Sequence, residues 1–128
     1  MKYRILIIED DKFFRNIVTH KFEESDLVEV DFLENGKGAV EKIKKYTPDL
    51  VLLDLLMPDV GGYETLKAVR FDEDVKDTPI IILSNLSKQE DIDKCKAYGS
   101  VDFMVKAMSS PQEIVDRTLE FLEGQAKQ

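Results

Sequence analysis

Three runs of consecutive apolar residues constrain the fold of this chain more than any other feature of its sequence. The runs are Ile5–Ile8, Leu50–Leu53 and Ile80–Leu83, and a polar residue follows each one directly. Strands that are buried on both faces of a parallel sheet read as continuous apolar runs of this kind. The three runs therefore predict the central strands of a sheet that helices cover on both faces.

The segments around these runs complete an alternating pattern of strands and helices. Two further strands are predicted at Val28–Phe32 and Val101–Val105. Helical spacing, caps and turn signals predict helices over residues 12–25, around Val40 and Ile43, after Gly61-Gly62, over residues 88–98 and from Pro111 onward, with Pro111 in the first turn. The order βαβαβαβαβα predicts a doubly wound α/β fold with a five-stranded parallel sheet and right-handed crossovers.

Length, charge and cysteine content exclude several classes of protein. We assign residues 1–124 of the 128 to one domain and residues 125–128 to a frayed C-terminal tail. The net charge of −8 disfavours direct binding to nucleic acid, and Cys95, as the only cysteine, excludes an internal disulfide. The run Ile5–Ile8 is too short for a signal peptide or for a membrane span of about 20 residues. We expect a cytoplasmic protein without membrane insertion.

Polar residues at the ends of the predicted strands form a candidate site. They are Glu9, Asp10, Asp54, Ser84 and Lys106. Ligands of open parallel sheets bind beyond the carboxyl ends of the strands, where these side chains should converge. Carboxylates about 4 Å apart repel by about 4 kcal/mol per pair at an effective dielectric constant near 20, so the cluster needs a cation. Oxygen ligands with open positions suit Mg²⁺, while the lysine and serine suit phosphoryl oxygens.

Four motifs in this chain resemble those of response-regulator receiver domains of two-component systems. The matching stretches are ILIIEDD, DLVLLDLLMPDVGG, PIIILS and VDFMVK, in the family's order, within a resemblance over about residues 3–123. The resemblance implies the (βα)5 flavodoxin-like or CheY-like form of the predicted fold. It also implies a signalling switch rather than an enzyme, one that assists its own phosphorylation and its slow dephosphorylation.

The resemblance implies a role for each residue of the phosphorylation site. Asp54 would be the phosphoacceptor, and Lys106 would bind the phosphoryl group. Asp54 would also bind Mg²⁺, together with the acid pair Glu9 and Asp10 and the backbone carbonyl of Leu56. Mg²⁺ is the implied cofactor.

The resemblance also implies residues that transmit and end the signal. Ser84 would be the switch hydroxyl and Phe103 the switch aromatic. Leu56, two residues after the acceptor, and Leu86, two residues after Ser84, would flank the approach of hydrolytic water. Because a leucine side chain forms no hydrogen bond to water, we expect slow loss of the phosphoryl group.

The sequence departs from the family pattern beside two of these residues. Ala107 follows Lys106 where most relatives have proline, and Asn85 follows Ser84 where a small residue is usual. A cis peptide bond costs about 2.5–4 kcal/mol without proline, so we expect a different loop after Lys106. Asn85 would tighten access to the phosphoryl group.

The implied partners are a sensor histidine kinase or a histidine phosphotransfer protein, and an unknown downstream protein. The chain would act as a stand-alone regulator in a phosphorelay, although a relay intermediate or a receiver cut from a larger protein stays open. A haloacid-dehalogenase-like phosphohydrolase is the enzymatic alternative, but it requires a second acid where Leu56 stands. A receiver-like module that never takes phosphate is the third alternative, and the complete set of site residues argues against it.

Overall fold

The structure, a computed structural model, describes residues 2–126 of the chain. The strands are β1 (Tyr3–Ile8), β2 (Val28–Leu33), β3 (Leu50–Leu53), β4 (Ile80–Ser84) and β5 (Asp102–Val105). The helices are α1 (Lys12–Glu23), α2 (Ala39–Tyr46), α3 (Gly62–Phe71), α4 (Gln89–Ala97) and α5 (Pro111–Ala126), with a short 3-10 helix at Lys106–Met108.

All five strands are parallel and form one sheet in the order β2-β1-β3-β4-β5. This arrangement confirms the predicted fold, and the direction of winding reverses beside β1 and β3. The pairing register sets Ile8 beside Leu53 and Ser84 beside Val105. Residues that directly follow these strands therefore meet at one edge of the sheet, which we call the carboxyl edge.

Helices cover both faces of the sheet and create two apolar cores. Helices α1 and α5 pack against one face, with Val18, Phe22, Ile114 and Leu122 in that core. The other core joins the opposite face to α2, α3 and α4. Because both faces are buried, the runs Ile5–Ile8 of β1, Leu50–Leu53 of β3 and Ile80–Leu83 of β4 are apolar without alternation, as the sequence predicts.

Side-chain caps fix where two of the helices begin. Asp11 Oδ1 accepts a hydrogen bond from the Phe14 amide at 3.1 Å at the start of α1. Ser110 Oγ accepts one from the Glu113 amide at 3.1 Å, and α5 begins at Pro111 as predicted. The caps satisfy amides that the first helical turn leaves without partners.

The end of α5 differs from the prediction. The helix continues through Gln125 and Ala126, which the sequence analysis assigned to the frayed tail. Lys127 and Gln128 lie outside the described residues. Within residues 2–126, no helix combines the length and the apolar character needed to cross a bilayer.

Candidate functional site

Three carboxylates gather at the carboxyl edge of the sheet. Glu9, Asp10 and Asp54 each offer an oxygen atom within 4.8 Å of the other two. The sheet causes this, because the Asp54 amide donates to the Ile8 carbonyl at 3.1 Å and so aligns the ends of β1 and β3. Glu9 and Asp54 are buried, whereas Asp10 is exposed.

The ammonium group of Lys106 lies between two of these carboxylates. It forms a close ion pair with Glu9 and lies 3.1 Å from Asp54 Oδ2, with only 12% of the lysine side chain exposed. The Phe14 ring covers it from another side, 4.8 Å from ring centroid to Nζ. One positive charge is therefore already set within the acidic cluster, held by contacts from β1, β3 and α1.

Burial and hydrogen bonding shift the pKa values of Glu9 and Lys106. Burial raises the pKa of Glu9 from 4.5 to about 7, even though the hydrogen bond from Lys106 favours the carboxylate. Burial also lowers the pKa of Lys106, but the hydrogen bond to Glu9 and the charge of Asp54 outweigh it, so that the lysine pKa is raised. The site therefore favours added positive charge beside Glu9.

Ser84 ends β4 and is fully buried. Its hydroxyl oxygen accepts a hydrogen bond from the Leu86 amide at 3.4 Å. The next residue turns its side chain the other way, and Asn85 Oδ1 accepts from the Ala107 amide at 3.0 Å. This amide lies in the 3-10 helix that follows β5, so the loop that the sequence left undefined is joined to the Ser84 loop.

Three other predicted residues lie around the same edge. Leu56 is 56% exposed, and its amide donates to Asp54 Oδ1 at 3.3 Å. Leu86 and Phe103 are half-buried and pack against the core beneath α2, α3 and α4. The assignment of Leu56 and Leu86 to control of hydrolysis, and of Phe103 to the switch, stays a prediction.

Two residues that shape the site were missed by the sequence analysis. A Cβ on Gly62 would lie 2.2 Å from the Asp54 carbonyl oxygen, so only glycine lets α3 begin against this backbone. Arg15 is buried, and its Nη1 donates to the Glu9 carbonyl at 2.8 Å while the guanidinium lies 4.1 Å from the Phe32 ring centroid. The available signal for Arg15 was its helical spacing with Val18 and Phe22, on the face of α1 that is otherwise apolar.

This fold and this cluster define a class of signalling domain, and comparison with known proteins identifies the family. The family model described as the response regulator receiver domain matches residues 5–118. The chain therefore belongs to the response-regulator receiver domains, which act as switches in two-component signalling. Members of the family accept phosphate from histidine kinases or phosphotransfer proteins and bind Mg²⁺ at an acidic pocket.

Individual relatives are similar over most of the chain. The chemotaxis protein CheY of Bacillus subtilis is 33% identical over 122 residues, which cover 93% of this chain and 99% of that protein. A protein-glutamate methylesterase/protein-glutamine glutaminase of Trichodesmium erythraeum is 32% identical over 97% of this chain. The match spans 35% of that longer protein. The structure of Vibrio cholerae chemotaxis protein CheY4 superimposes with a TM-score of 0.84 at 29% identity, covering 95% of this chain and 99% of that one.

Proposed function

We propose that this chain accepts a phosphoryl group on Asp54 with the help of Mg²⁺ and thereby changes its contacts with a downstream protein. The observation that carries the proposal is the meeting of Glu9, Asp10, Asp54 and Lys106 at the carboxyl edge. The proposed donor is a phosphohistidine of a sensor kinase or of a phosphotransfer protein, and the proposed place of action is the cytoplasm.

The donor atoms of the site fit Mg²⁺. The carboxylates of Glu9, Asp10 and Asp54 are hard oxygen ligands that lie close enough to share one ion, and the Leu56 carbonyl is the proposed fourth protein ligand. The bound ion would neutralise charge on the carboxylates and on the incoming phosphoryl oxygens.

The residues of the chain carry out the transfer. An oxygen of Asp54 attacks phosphorus as the bond to the donor imidazole nitrogen breaks, and that nitrogen takes up a proton. Lys106, 3.1 Å from Asp54 Oδ2, is placed to hold a phosphoryl oxygen once the acyl phosphate forms. Its charge favours the product, in which negative charge has been added beside Asp54.

The proposed switch begins at Ser84. In this proposal the loop after β4 moves toward Asp54 and the Ser84 hydroxyl donates to a phosphoryl oxygen, while its oxygen can still accept from the Leu86 amide. Phe103 then turns inward into the space that this movement opens. The surface formed by α4, β5 and α5 changes shape and carries the signal to the downstream protein. Such a change requires states that differ by only a few kcal/mol.

Intact mass after incubation with acetyl phosphate and Mg²⁺ tests the proposal. The mass of the wild type should rise by one phosphoryl group, and Asp54→Asn should abolish the rise because an amide is a poor nucleophile. Asp59→Asn is the matched control, since this exposed aspartate lies in the loop after β3 at φ 60°, which asparagine also tolerates.

The same incubation separates the three candidate functions. A stable adduct on Asp54 supports the receiver, sustained turnover without an adduct supports a phosphohydrolase, and no reaction supports a module that never takes phosphate. Undiminished labelling of the Asp54→Asn variant would contradict the assignment of the acceptor.

A further inference from the structure

One side-chain hydrogen bond joins the loop after β4 to the loop after β5. Asn85 Oδ1 accepts from the Ala107 amide at 3.0 Å, across 22 positions of sequence. Asn85 directly follows Ser84, and Ala107 directly follows Lys106. The bond therefore connects the residues that directly follow Ser84 and Lys106. In the proposed function, both of these side chains bind phosphoryl oxygens.

The sheet itself does not connect these positions. Ser84 and Val105 form the last pair of the β4-β5 ladder, and beyond it the two segments separate. One continues toward α4, while the other enters the 3-10 helix at Lys106–Met108. The Asn85 carboxamide thus continues the connection between the two segments one position past the end of the ladder.

The hydrogen bond depends on the type of residue at positions 85 and 107. Ala107 has an amide hydrogen to donate, which proline at this position would lack. Asn85 supplies a short side chain with a carbonyl oxygen, which alanine or glycine would lack. Each residue thus departs from the family pattern in the way that the hydrogen bond needs.

We propose that Asn85 is a positioning residue for phosphoryl acceptance on Asp54. Through the Ala107 amide it holds the Ser84 hydroxyl and the Lys106 ammonium in register, so that both reach oxygens of one phosphoryl group. The inference rests on the proposed function. It assigns Asn85 no contact with the phosphoryl group and no part in binding Mg²⁺.

The benefit of the bond is preorganisation. Two loops that are joined in register can approach the phosphoryl group as one unit, whereas two loops that move independently must each be ordered during the reaction. A hydrogen bond of this kind has a modest net strength, which corresponds to about a three- to tenfold change in rate when it is lost. The expected effect is therefore well below the loss caused by Asp54→Asn.

The test is a double-mutant cycle on the rate of phosphorylation by acetyl phosphate at saturating Mg²⁺, followed by intact mass. Asn85→Ala should slow the wild type about three- to tenfold. In an Ala107→Pro background, where the donor is gone, Asn85→Ala should change the rate no further. In an Ala107→Gly background, where the donor remains, the full effect should persist.

A matched control addresses the general loss of an asparagine side chain from a loop. Asn35 Oδ1 accepts from the Lys37 amide at 2.7 Å in the loop after β2, remote from Ser84 and Lys106 in sequence. Asn35→Ala removes the same kind of bond and should leave the rate unchanged. Melting temperatures of all variants identify any loss of folding. Within each background, the ratio of the rates with asparagine and with alanine at position 85 cancels the effect of the substitution at position 107.

Each outcome decides the inference. The inference is supported if Asn85→Ala slows phosphorylation in the wild-type and Ala107→Gly backgrounds but not in the Ala107→Pro background. If Asn85→Ala reacts within twofold of the wild type, or slows the Ala107→Pro protein just as much, the positioning role is overturned while phosphorylation of Asp54 stands. If the wild type takes no phosphoryl group at all, the proposed function and the inference fall together.

Discussion

The two edges of the sheet treat charged residues in opposite ways. At the carboxyl edge, Glu9 and Asp54 are buried close together and share the single ammonium group of Lys106. At the amino edge, where the strands begin, the guanidinium of Arg70 is surrounded by acceptors from the chain itself. The acidic cluster favours a further cation, whereas the Arg70 guanidinium already donates hydrogen bonds to backbone carbonyls.

Four of the five N–H groups of Arg70 donate to backbone carbonyls. Its Nε donates to the Tyr98 carbonyl at 2.7 Å, and its Nη2 to the Gly99 carbonyl at 3.2 Å. Its Nη1 donates to the carbonyls of Thr78 and Lys76 at 2.8 and 2.9 Å. Three nitrogens thus join α3 to the loops before β4 and β5. The comparison indicates that charged contacts at the amino edge stabilise the fold, whereas those at the carboxyl edge form the proposed phosphorylation site.

Arg70→Ala should cause the largest loss of stability. A stability equal to that of the wild type would contradict the comparison of the two edges. Removing the hydrogen bonds from one cation to several carbonyls should lower the free energy of unfolding by about 3 kcal/mol, measured by urea denaturation. The folded fraction should still take phosphate on Asp54 at the wild-type rate.

Arg117→Ala is the control for loss of an arginine. Its partly exposed ion pair with Asp102 should contribute about 1 kcal/mol or less. Equal losses for the two variants would show that the carbonyl contacts of Arg70 do not stabilise the amino edge.

Glu9→Gln should sharpen the comparison through pH. The folded pKa of Glu9, about 7, lies above its ordinary value of 4.5, so the unfolded chain loses this proton first as pH rises. The stability that protonated Glu9 gives the fold is present below pH 4.5 and is lost as pH rises to about 7. Without divalent ions, Glu9→Gln should therefore gain stability over the wild type across this range, by about 3 kcal/mol at its upper end.

Urea denaturation in EDTA at several pH values measures this difference. Glu64→Gln, which changes an exposed acid of α3, is the control. A difference between Glu9→Gln and the wild type that stays constant with pH would show that Glu9 does not carry this dependence.

The lifetime of the phosphorylated form tests whether Leu56 and Leu86 limit the access of water to the phosphoryl group. With leucine at positions 56 and 86, the adduct should decay over many minutes to hours once the donor is removed. Leu56→Asn combined with Leu86→Glu should accelerate the decay about tenfold or more, because polar side chains orient the attacking water. Leu27→Asn, at an exposed leucine before β2, should leave the decay unchanged. Decay of the wild type within seconds would refute this role of the leucines.

Asp10→Asn should give the smallest change in stability. Asp10 is exposed, so removing its charge should stabilise the protein without metal by less than about 1 kcal/mol. In the wild type, Mg²⁺ at tenfold over its dissociation constant should add about 1.4 kcal/mol, seen as a rise in melting temperature. Asp10→Asn should reduce that rise, while Asp11→Asn, which preserves the cap of α1, should not. An intact rise in Asp10→Asn would remove Asp10 from the proposed ligands.

The fold was predictable because its three central strands, β1, β3 and β4, are buried on both faces along their apolar runs. The runs at Leu50–Leu53 and Ile80–Leu83 are almost the whole of β3 and β4, since the first polar residue after each marks the edge of the sheet. The same argument predicted that Glu9, Asp54 and Lys106 would meet. It needs only that parallel strands begin and end together.

The remaining features depend on how loops approach one another, which periodicity does not encode. The sequence analysis expected Asn85 to tighten access to the phosphoryl group, which stays a prediction, but it did not predict that the Asn85 side chain accepts from the Ala107 amide. The need for Gly62 arises because α3 starts against the Asp54 carbonyl, a contact between separate elements. The extension of α5 to Ala126 was missed because Gly124, usually unfavourable in helices, does not end this one.

The stacking of Arg15 on Phe32 bears on how the molecule resists aggregation. Strand β2 lies at an edge of the sheet, and Phe32 within it is 46% exposed. An apolar side chain on an edge strand invites pairing with the same strand of another molecule, and charged neighbours oppose this. The buried guanidinium lies over one face of the ring, so the arginine that holds the Glu9 carbonyl also covers part of the aromatic surface of β2.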